Sequence, residues 1–222
     1  MDNRLLRAAL AELIGTFTLV FIGVLAVIVA VTPGTNSDIL VPAFAHGLAL
    51  LGMVYVFGHI SGAHVNPAVT AGLLVGGKIK PLTAVAYWIA QFAGAIIASL
   101  LAVALVPDPA NYGQTIGIIT SDNVWTAAVF EAVLTFMLVS AVYQAAVYGK
   151  AGNLAGVAIG LTLAFAIIAG GVFTGASLNP ARTLGPALVA GDLSYVLPYL
   201  VGIFAGGAAA GLLHSRVFKP ES

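Results

Sequence analysis

The chain contains no cysteine, so disulfides, thiolate nucleophiles and cysteine metal ligands are excluded. It is nearly as short of charge. Only 7% of its 222 residues are Asp, Glu, Lys or Arg, against about 25% in soluble globular domains. That is too few to cover a water-facing surface of this size. The formal net charge is zero, which leaves no electrostatic footprint for a nucleic-acid partner. What is present is apolar: 60% hydrophobic residues, with 26 glycines placed mostly inside apolar runs. Glycine weakens a helix in water but lets membrane helices approach closely. Length and composition together predict one integral membrane domain over residues 1–222, in contact with the lipid bilayer. The first apolar run is too long for a signal-peptide core and has no convincing cleavage site, so it is read as an uncleaved span.

A helix needs about 20 apolar residues to cross the hydrocarbon core. Six stretches qualify, at about 7–31, 39–57, 82–106, 124–147, 154–171 and 193–217. Turn-rich segments such as 32–38 and 107–111 separate them. Two more apolar segments, 67–76 and 180–190, are long enough for only half of the bilayer at about 1.5 Å per residue. Each begins with proline, which suits the first position of a helix, and each follows asparagine, a good N-cap. The expected fold is all-α: six transmembrane helices and two re-entrant half-helices.

The halves repeat. Ser61-Gly62-Ala63-His64-Val65-Asn66-Pro67-Ala68-Val69-Thr70 aligns without gaps on Thr174-Gly175-Ala176-Ser177-Leu178-Asn179-Pro180-Ala181-Arg182-Thr183. Gly47-Leu48 and Gly160-Leu161 each stand 19 residues before their Asn, and Glu12 with Thr16-Phe17 matches Glu131 with Thr135-Phe136. The repeats cover about 7–106 and 124–217. Three spans per half is an odd number, so the second half is inverted and the half-helices meet N-terminus to N-terminus. Polar backbone at that depth is tolerated only where it is buried or lines a cavity, which predicts a pore or a binding site.

Charge placement gives an orientation. Arg4, Arg7, Lys78, Lys80, Lys150, Arg216 and Lys219 fall on one side of the six-span arrangement, and Asp38, Asp108, Asp122 and Asp192 fall on the other. The positive-inside rule places both termini in the cytoplasm. The tails beyond the first and last spans are short, so no long regulatory tail is expected. A compact, cysteine-free chain of this kind points to a prokaryotic plasma membrane.

The pair Asn66-Pro67-Ala68 and Asn179-Pro180-Ala181-Arg182, in matched contexts of an inverted repeat, resembles the aquaporin, or major intrinsic protein, family over nearly the whole chain. The resemblance implies a six-helix bundle assembled as a homotetramer with one pore per subunit. It implies a central constriction at Asn66, Pro67, Ala68, Asn179, Pro180 and Ala181, and a selectivity filter at His46, Ile167, Ala176 and Arg182. The filter set looks most like that of plant tonoplast intrinsic proteins. Glycerol facilitators of the family usually carry Asp directly after the Arg and a Trp in the filter. Here Thr183 follows Arg182, and no filter position is Trp.

Water entering such a pore needs replacement hydrogen bonds, since an unpaired buried polar group costs about 1–3 kcal/mol. The irregular backbone at Gly62, Ala63, His64 and Val65, and at Gly175, Ser177 and Leu178, is expected to present carbonyl acceptors. Asn66 and Asn179 are expected to offer amide donors at the centre. Glu12 and Glu131, inside spans and symmetric, are expected to accept from the re-entrant loops rather than to relay protons. His214 and Tyr195 read as membrane-interface residues. The half-helix N-termini, about half a positive charge each, and Arg182 oppose protons and cations. The function expected is passive conduction of water with small neutral solutes such as ammonia, without enzyme activity, metal or cofactor. Alternatives are a glycerol- or urea-type facilitator of the same family, an ion-coupled secondary transporter, or a non-conducting adhesion protein of the same fold. The missing cysteine makes one prediction. Water flux into vesicles should be unchanged by mercurial thiol reagents, and strong inhibition in a stopped-flow assay would contradict it.

Overall fold

The computed structural model describes residues 3–35 and 37–220; Asn36 of the first turn-rich segment and residues 1–2 and 221–222 of the tails lie outside the described residues. The helices are α1 (Asn3–Val31), α2 (Leu40–Ser61), α3 (Pro67–Val75), α4 (Pro81–Leu105), the short α5 (Ile118–Asp122), α6 (Val124–Val142), α7 (Ala155–Thr174), α8 (Pro180–Ala190) and α9 (Val196–Arg216). Six stretches among the described residues are long and apolar enough to cross a membrane: α1, α2, α4, α6 with the turn that follows it, α7 with the turn before it, and α9. α3 and α8 are the half-helices. The protein is an all-α, multi-pass integral membrane protein.

The first span begins about a turn earlier than the sequence reading, at Asn3, and four further boundaries differ from it, each for a physical reason. α2 and α7 run about one turn further than their apolar stretches, to Ser61 and Thr174. The hydroxyls of these residues are satisfied by buried carboxylates, so polarity does not end the helix there. Gly62 (φ 89°) and Gly175 (φ 80°) do, in the left-handed conformation that glycine adopts freely. The fourth span is α-helical only to Val142 and continues as a π-helical turn over Tyr143–Val147. α9 starts at Val196, because Gly191 (φ 74°) and the Asp192 carboxylate, which accepts from Ser194 N and Oγ, form a turn before it.

The packing obeys the inverted repeat. α1 lies against α2 and α4, and α6 lies against α7 and α9. The half-helices cross over: α3 packs on α9 of the other half, and α8 packs on α4. α2 and α7 meet between the halves at Gly47 and Gly160. A Cβ on Gly47 would come within 2.7 Å of the Gly160 carbonyl, and one on Gly160 within 2.5 Å of the Gly47 carbonyl. Small residues here replace the hydrophobic drive that lipid cannot supply with close van der Waals contact. Large apolar side chains turn outward instead, with Leu82, Ile89 and Leu197 about two-thirds exposed. In water such a surface would aggregate; in a bilayer it is the solvated one.

The α6–α9 contact is equally tight, since a Cβ at Gly206 would stand 2.1 Å from the Ala132 carbonyl. Gly206→Val should therefore destabilise the detergent-solubilised protein by about 1–3 kcal/mol through overpacking. Thermal unfolding is the check, and an unchanged midpoint would show that these helices shift apart at little cost.

Candidate functional site

Between α2 and α3, and again between α7 and α8, the chain leaves helical geometry at mid-bilayer. Gly62, Ala63 and Val65 have φ of 89°, 47° and 52°, and their counterparts Gly175, Ala176 and Leu178 have 80°, 41° and 54°. Left-handed Ala, Val and Leu are strained, at about 1–3 kcal/mol each. They persist because a buried acid holds each loop. Glu12, fully buried, accepts at one oxygen from Ser61 Oγ (2.7 Å) and His64 N (2.8 Å). At the other it accepts from Val65 N (2.6 Å) and Gln91 Nε2 (2.8 Å). Glu131 accepts from Thr174 Oγ1 (2.7 Å), Ser177 N (2.9 Å) and Leu178 N (2.8 Å). With the loop N–H groups drawn back to the acids, the loop carbonyls are free to face elsewhere.

The two asparagines do more than cap. Asn66 Oδ1 accepts from Ala68 N at 2.8 Å, and Asn179 Oδ1 accepts from Ala181 N at 3.0 Å and Arg182 N at 3.3 Å. Each amide nitrogen then crosses the repeat axis. Asn66 Nδ2 donates to the Leu178 carbonyl at 2.8 Å, and Asn179 Nδ2 donates to the Val65 carbonyl at 2.9 Å. Sequence reasoning missed this reciprocal bond. An amide nitrogen carries two hydrogens, so each Asn keeps one donor. The cross-bond uses one lone pair on each of the last loop carbonyls, at Val65 and Leu178.

Three cavities are linked by shared lining residues. An outer vestibule of about 270 Å³ is lined by residues including Asp38, Asn111, Gln114, Ile167 and Gly175, and reaches His46. A narrow lumen of about 30 Å³ runs from His46 and Arg182 past Asn179 and Asn66 to Val54 and Ala146. An inner vestibule of about 390 Å³ shares Val54, Gly62, His64, Val142 and Ala146 with the lumen. Gly62, Ala63, His64 and Ser177 line the lumen, while its other wall is apolar, with Leu19, Leu50, Leu138 and Leu163. The structure thus brings His46, Arg182 and both asparagines to one passage and places Ile167 and Gly175 at its outer mouth. Ala176, Val65 and Leu178 are buried but are not among the residues lining these three cavities.

At the outer end of the lumen His46 and Arg182 form one unit. His46 Nδ1 lies 2.7 Å from the Pro42 carbonyl, which fixes its hydrogen on Nδ1. Nε2 is then an acceptor, and Arg182 Nε donates to it at 2.9 Å. Both ring nitrogens are engaged, so His46 offers the passage shape rather than a free donor. Arg182 is 2% exposed, and its Nη1 is buried without a protein partner among the described residues. The positive donor at this narrowing is therefore the guanidinium. Loop residues Asn111 and Gln114 also reach the outer vestibule; nothing in their spacing to the asparagines signalled it. Two side chains read as interface residues are placed otherwise. Tyr195 is 2% exposed and His214 5%: Tyr195 packs edge-on against Tyr199, and His214 lies against the Tyr143 and Phe218 rings. Trp88 donates to the Pro67 carbonyl of α3 at 3.0 Å.

The sequence pattern of the major intrinsic protein family matches residues 2–214. The chain belongs to that family. It is 42% identical over 224 residues to Aquaporin TIP2-3 of Arabidopsis thaliana, covering 96% of this chain and 88% of the relative. It is 44% identical over 223 residues to Aquaporin TIP2-1 of Zea mays, with the same two coverages. The X-ray structure of the aquaglyceroporin from Plasmodium falciparum has a TM-score of 0.87 to this structure at 25% identity, over 97% of this chain and 98% of that one. This major intrinsic protein is accordingly a passive membrane channel and not an enzyme. The buried acids give the fold a testable feature. In Glu131→Gln an amide NH₂ must face a loop N–H or the Thr174 hydroxyl, leaving at least one buried donor unpaired at about 1–3 kcal/mol. The expected result is a lower thermal midpoint; a variant as stable as the native chain would show that the second loop stands without the carboxylate.

Proposed function

We propose that this channel passes water in single file, together with small neutral solutes such as ammonia, and excludes protons and ions. The observation that carries the reading is the linked row of wide vestibule, narrow lumen and wide vestibule, with the polar groups of Asn66, Asn179 and Arg182 set in an otherwise apolar wall. A lumen of about 30 Å³ admits a few waters at most, given that about 10–15 Å³ is needed for one. It leaves little room for a polyol, which weighs against a glycerol facilitator, as does Thr183 after Arg182. The remaining Asn donors fit a central water whose oxygen accepts from the protein, so that it takes no relayed proton from its neighbours. The half-helix N-termini and Arg182 add a positive barrier. His46, Ile167 and Arg182 are assigned as the filter, without Ala176, which lines none of the three cavities, and the carbonyls of lumen-lining loop residues such as Gly62, Ala63 and His64 as the acceptors along the path.

An ion-coupled transporter needs an ionisable group free to bind and release its ion. Glu12 and Glu131 are occupied on both oxygens by loop donors, which weighs against that mechanism. We further assign one pore domain built from repeats at about 7–106 and 124–217, both chain ends on the cytoplasmic side, and a homotetrameric assembly in the bilayer. The prokaryotic plasma membrane expected from the compact chain gains no support from its plant relatives.

Stopped-flow measurements on proteoliposomes test the whole reading. Water flux well above the lipid background, ammonia flux above it, and no response to proton or sodium gradients are expected. Flux that follows a sodium or proton gradient would sink the channel mechanism, and water flux without ammonia flux would restrict it to water. Arg182→Ala should lower the cation barrier by ~1.4 kcal/mol or more, about ten-fold in leak. A leak no larger than that of the native chain would remove Arg182 from the exclusion mechanism.

A further inference from the structure

An inverted repeat should hold its two re-entrant loops by matched anchors, and one pair of tyrosines is matched only in part. Tyr87 of α4 donates to the Ser61 carbonyl at 2.7 Å, and Tyr199 of α9 donates to the Thr174 carbonyl at 2.7 Å. Each thus holds the last residue of the helix that leads into a loop. The Tyr87 hydroxyl makes that one hydrogen bond among the described residues. The Tyr199 hydroxyl makes a second, at 2.6 Å to Thr120 Oγ1 of the outer segment between α4 and α6. Its single hydrogen goes to Thr174, so Thr120 donates here and Tyr199 accepts. Thr120 Oγ1 accepts in turn from Gly117 N at 2.9 Å. The bonds run in one direction, from Gly117 through Thr120 and Tyr199 to Thr174, whose own hydroxyl donates to Glu131.

The same outer segment lies directly on the start of the second loop. A Cβ on Gly117 would stand 2.5 Å from the Phe173 carbonyl, and one on Gly175 would stand 2.5 Å from the Thr115 carbonyl carbon. Gly113 (φ 70°) seats the segment on α1, where a Cβ would come within 2.7 Å of Val24. Ile116 and Ile119 pack against the cluster of Val196, Tyr199 and Ile203. The segment therefore bridges α1 and α9 and bears on Gly175, which lines the outer vestibule together with Gln114, Ile116 and Ile167. Thr120 and Tyr199 line none of the three linked cavities. We propose that these two are positioning residues for solute selection: they strap the outer segment to the Thr174 carbonyl and so fix the width of the outer mouth where it narrows toward Arg182. The strained residues Ala176 and Leu178 follow this turn at positive φ, and such a conformation persists only while its surroundings hold it. A hollow of about 360 Å³, lined by Thr120, Ser121, Asp192 and Tyr195 among others, gives the segment room to lift once the strap is cut. The mouth then widens, and larger neutral solutes enter. The first loop has no such strap, so the device acts on the outer mouth alone.

The strap rests on the reading of the lumen as a water path, and the test separates the two. Water flux and urea flux into proteoliposomes are measured on the same preparations, because urea is neutral and larger than ammonia. In parallel, amide hydrogen exchange is followed over 173–178. Tyr199→Phe and Thr120→Val, each lacking one hydroxyl, should raise the ratio of urea to water flux roughly five-fold, the scale of one net hydrogen bond. The double variant should go no further than either single one, because both cut the same chain. Thr120→Ser, which keeps the hydroxyl, should hold the native ratio. Tyr87→Phe, which removes the matching bond of the first loop, should also hold it, even where it lowers the thermal midpoint as much as Tyr199→Phe does. Exchange over 173–178 should quicken in Tyr199→Phe and not in Tyr87→Phe. A native ratio in both Tyr199→Phe and Thr120→Val overturns the strap, and so does an equal rise in Tyr87→Phe, which would be general loosening. Native water flux no greater than that of protein-free liposomes sinks the water-path reading instead. The exchange measurement then still decides whether Tyr199 fastens the second loop.

Discussion

Inside a bilayer every backbone N–H must find a partner within the protein, yet the two re-entrant loops break their helices at mid-depth. The hydrogen bonds from these loops to Glu12 and Glu131 resolve the conflict, and much else follows from them. Each acid takes the N–H groups of two consecutive loop residues, His64 and Val65 or Ser177 and Leu178. That pattern holds Ala63, Val65, Ala176 and Leu178 at positive φ, against a preference of about 1–3 kcal/mol per residue. A carboxylate is suited to the task because it only accepts and has two oxygens to do so. An acid buried in a span, ordinarily a mark of proton chemistry, is here consumed by structure.

The second constraint is distance. For each Asn to reach a carbonyl of the other repeat, the half-helix tips must lie side by side, so the helices behind them must pack closely. Gly47 against Gly160, and Gly206 against Ala132, bring backbones near enough to allow it. The cross-bonds of Asn66 to Leu178 and Asn179 to Val65 then lock the two half-helix N-termini at one place. The positive ends of both half-helices thereby face the same short stretch of lumen, the arrangement on which the proposed exclusion of cations rests. The proposed electrostatic exclusion and the joining of the two half-helix tips would come from the same pair of side chains.

At the outer end the structure uses histidine differently from a simple polar lining. The Pro42 carbonyl fixes the His46 tautomer, and the remaining nitrogen accepts from Arg182 Nε. The ring therefore aims the guanidinium and leaves Nη1 as the open donor. Substitution at His46 thus acts on the passage through the position of Arg182 as well as through its width. At the inner end, the wall is partly a π-helical turn rather than a continuous α-helix, so the two mouths differ in build although the halves share a repeat.

The spans, the half-helices, the inversion and the family were legible in the sequence. Apolar run length is a one-dimensional quantity, and the duplicated Asn-Pro-Ala segments sit in equal registers. The N-caps were legible too, because a cap bonds to residues two or three positions away. The partners of Glu12 and Glu131 were legible in kind, as loop backbone, but not in number. Long-range relations were not legible. The Asn cross-bonds join residues 112 and 114 positions apart, and the His46–Arg182 bond spans 136. No local spacing encodes such distances. The burial of His214 and Tyr195 escaped for the same reason, since it depends on how closely α9 is drawn in by its neighbours. The sequence alone determined that this chain crosses a membrane six times and turns back twice at mid-depth, because hydrophobicity and helix capping act along the chain. Only the tertiary structure decided which hydrogen-bonding groups are spent on the fold and which remain for a solute, because pairing is settled across the bundle, between residues the chain itself keeps far apart.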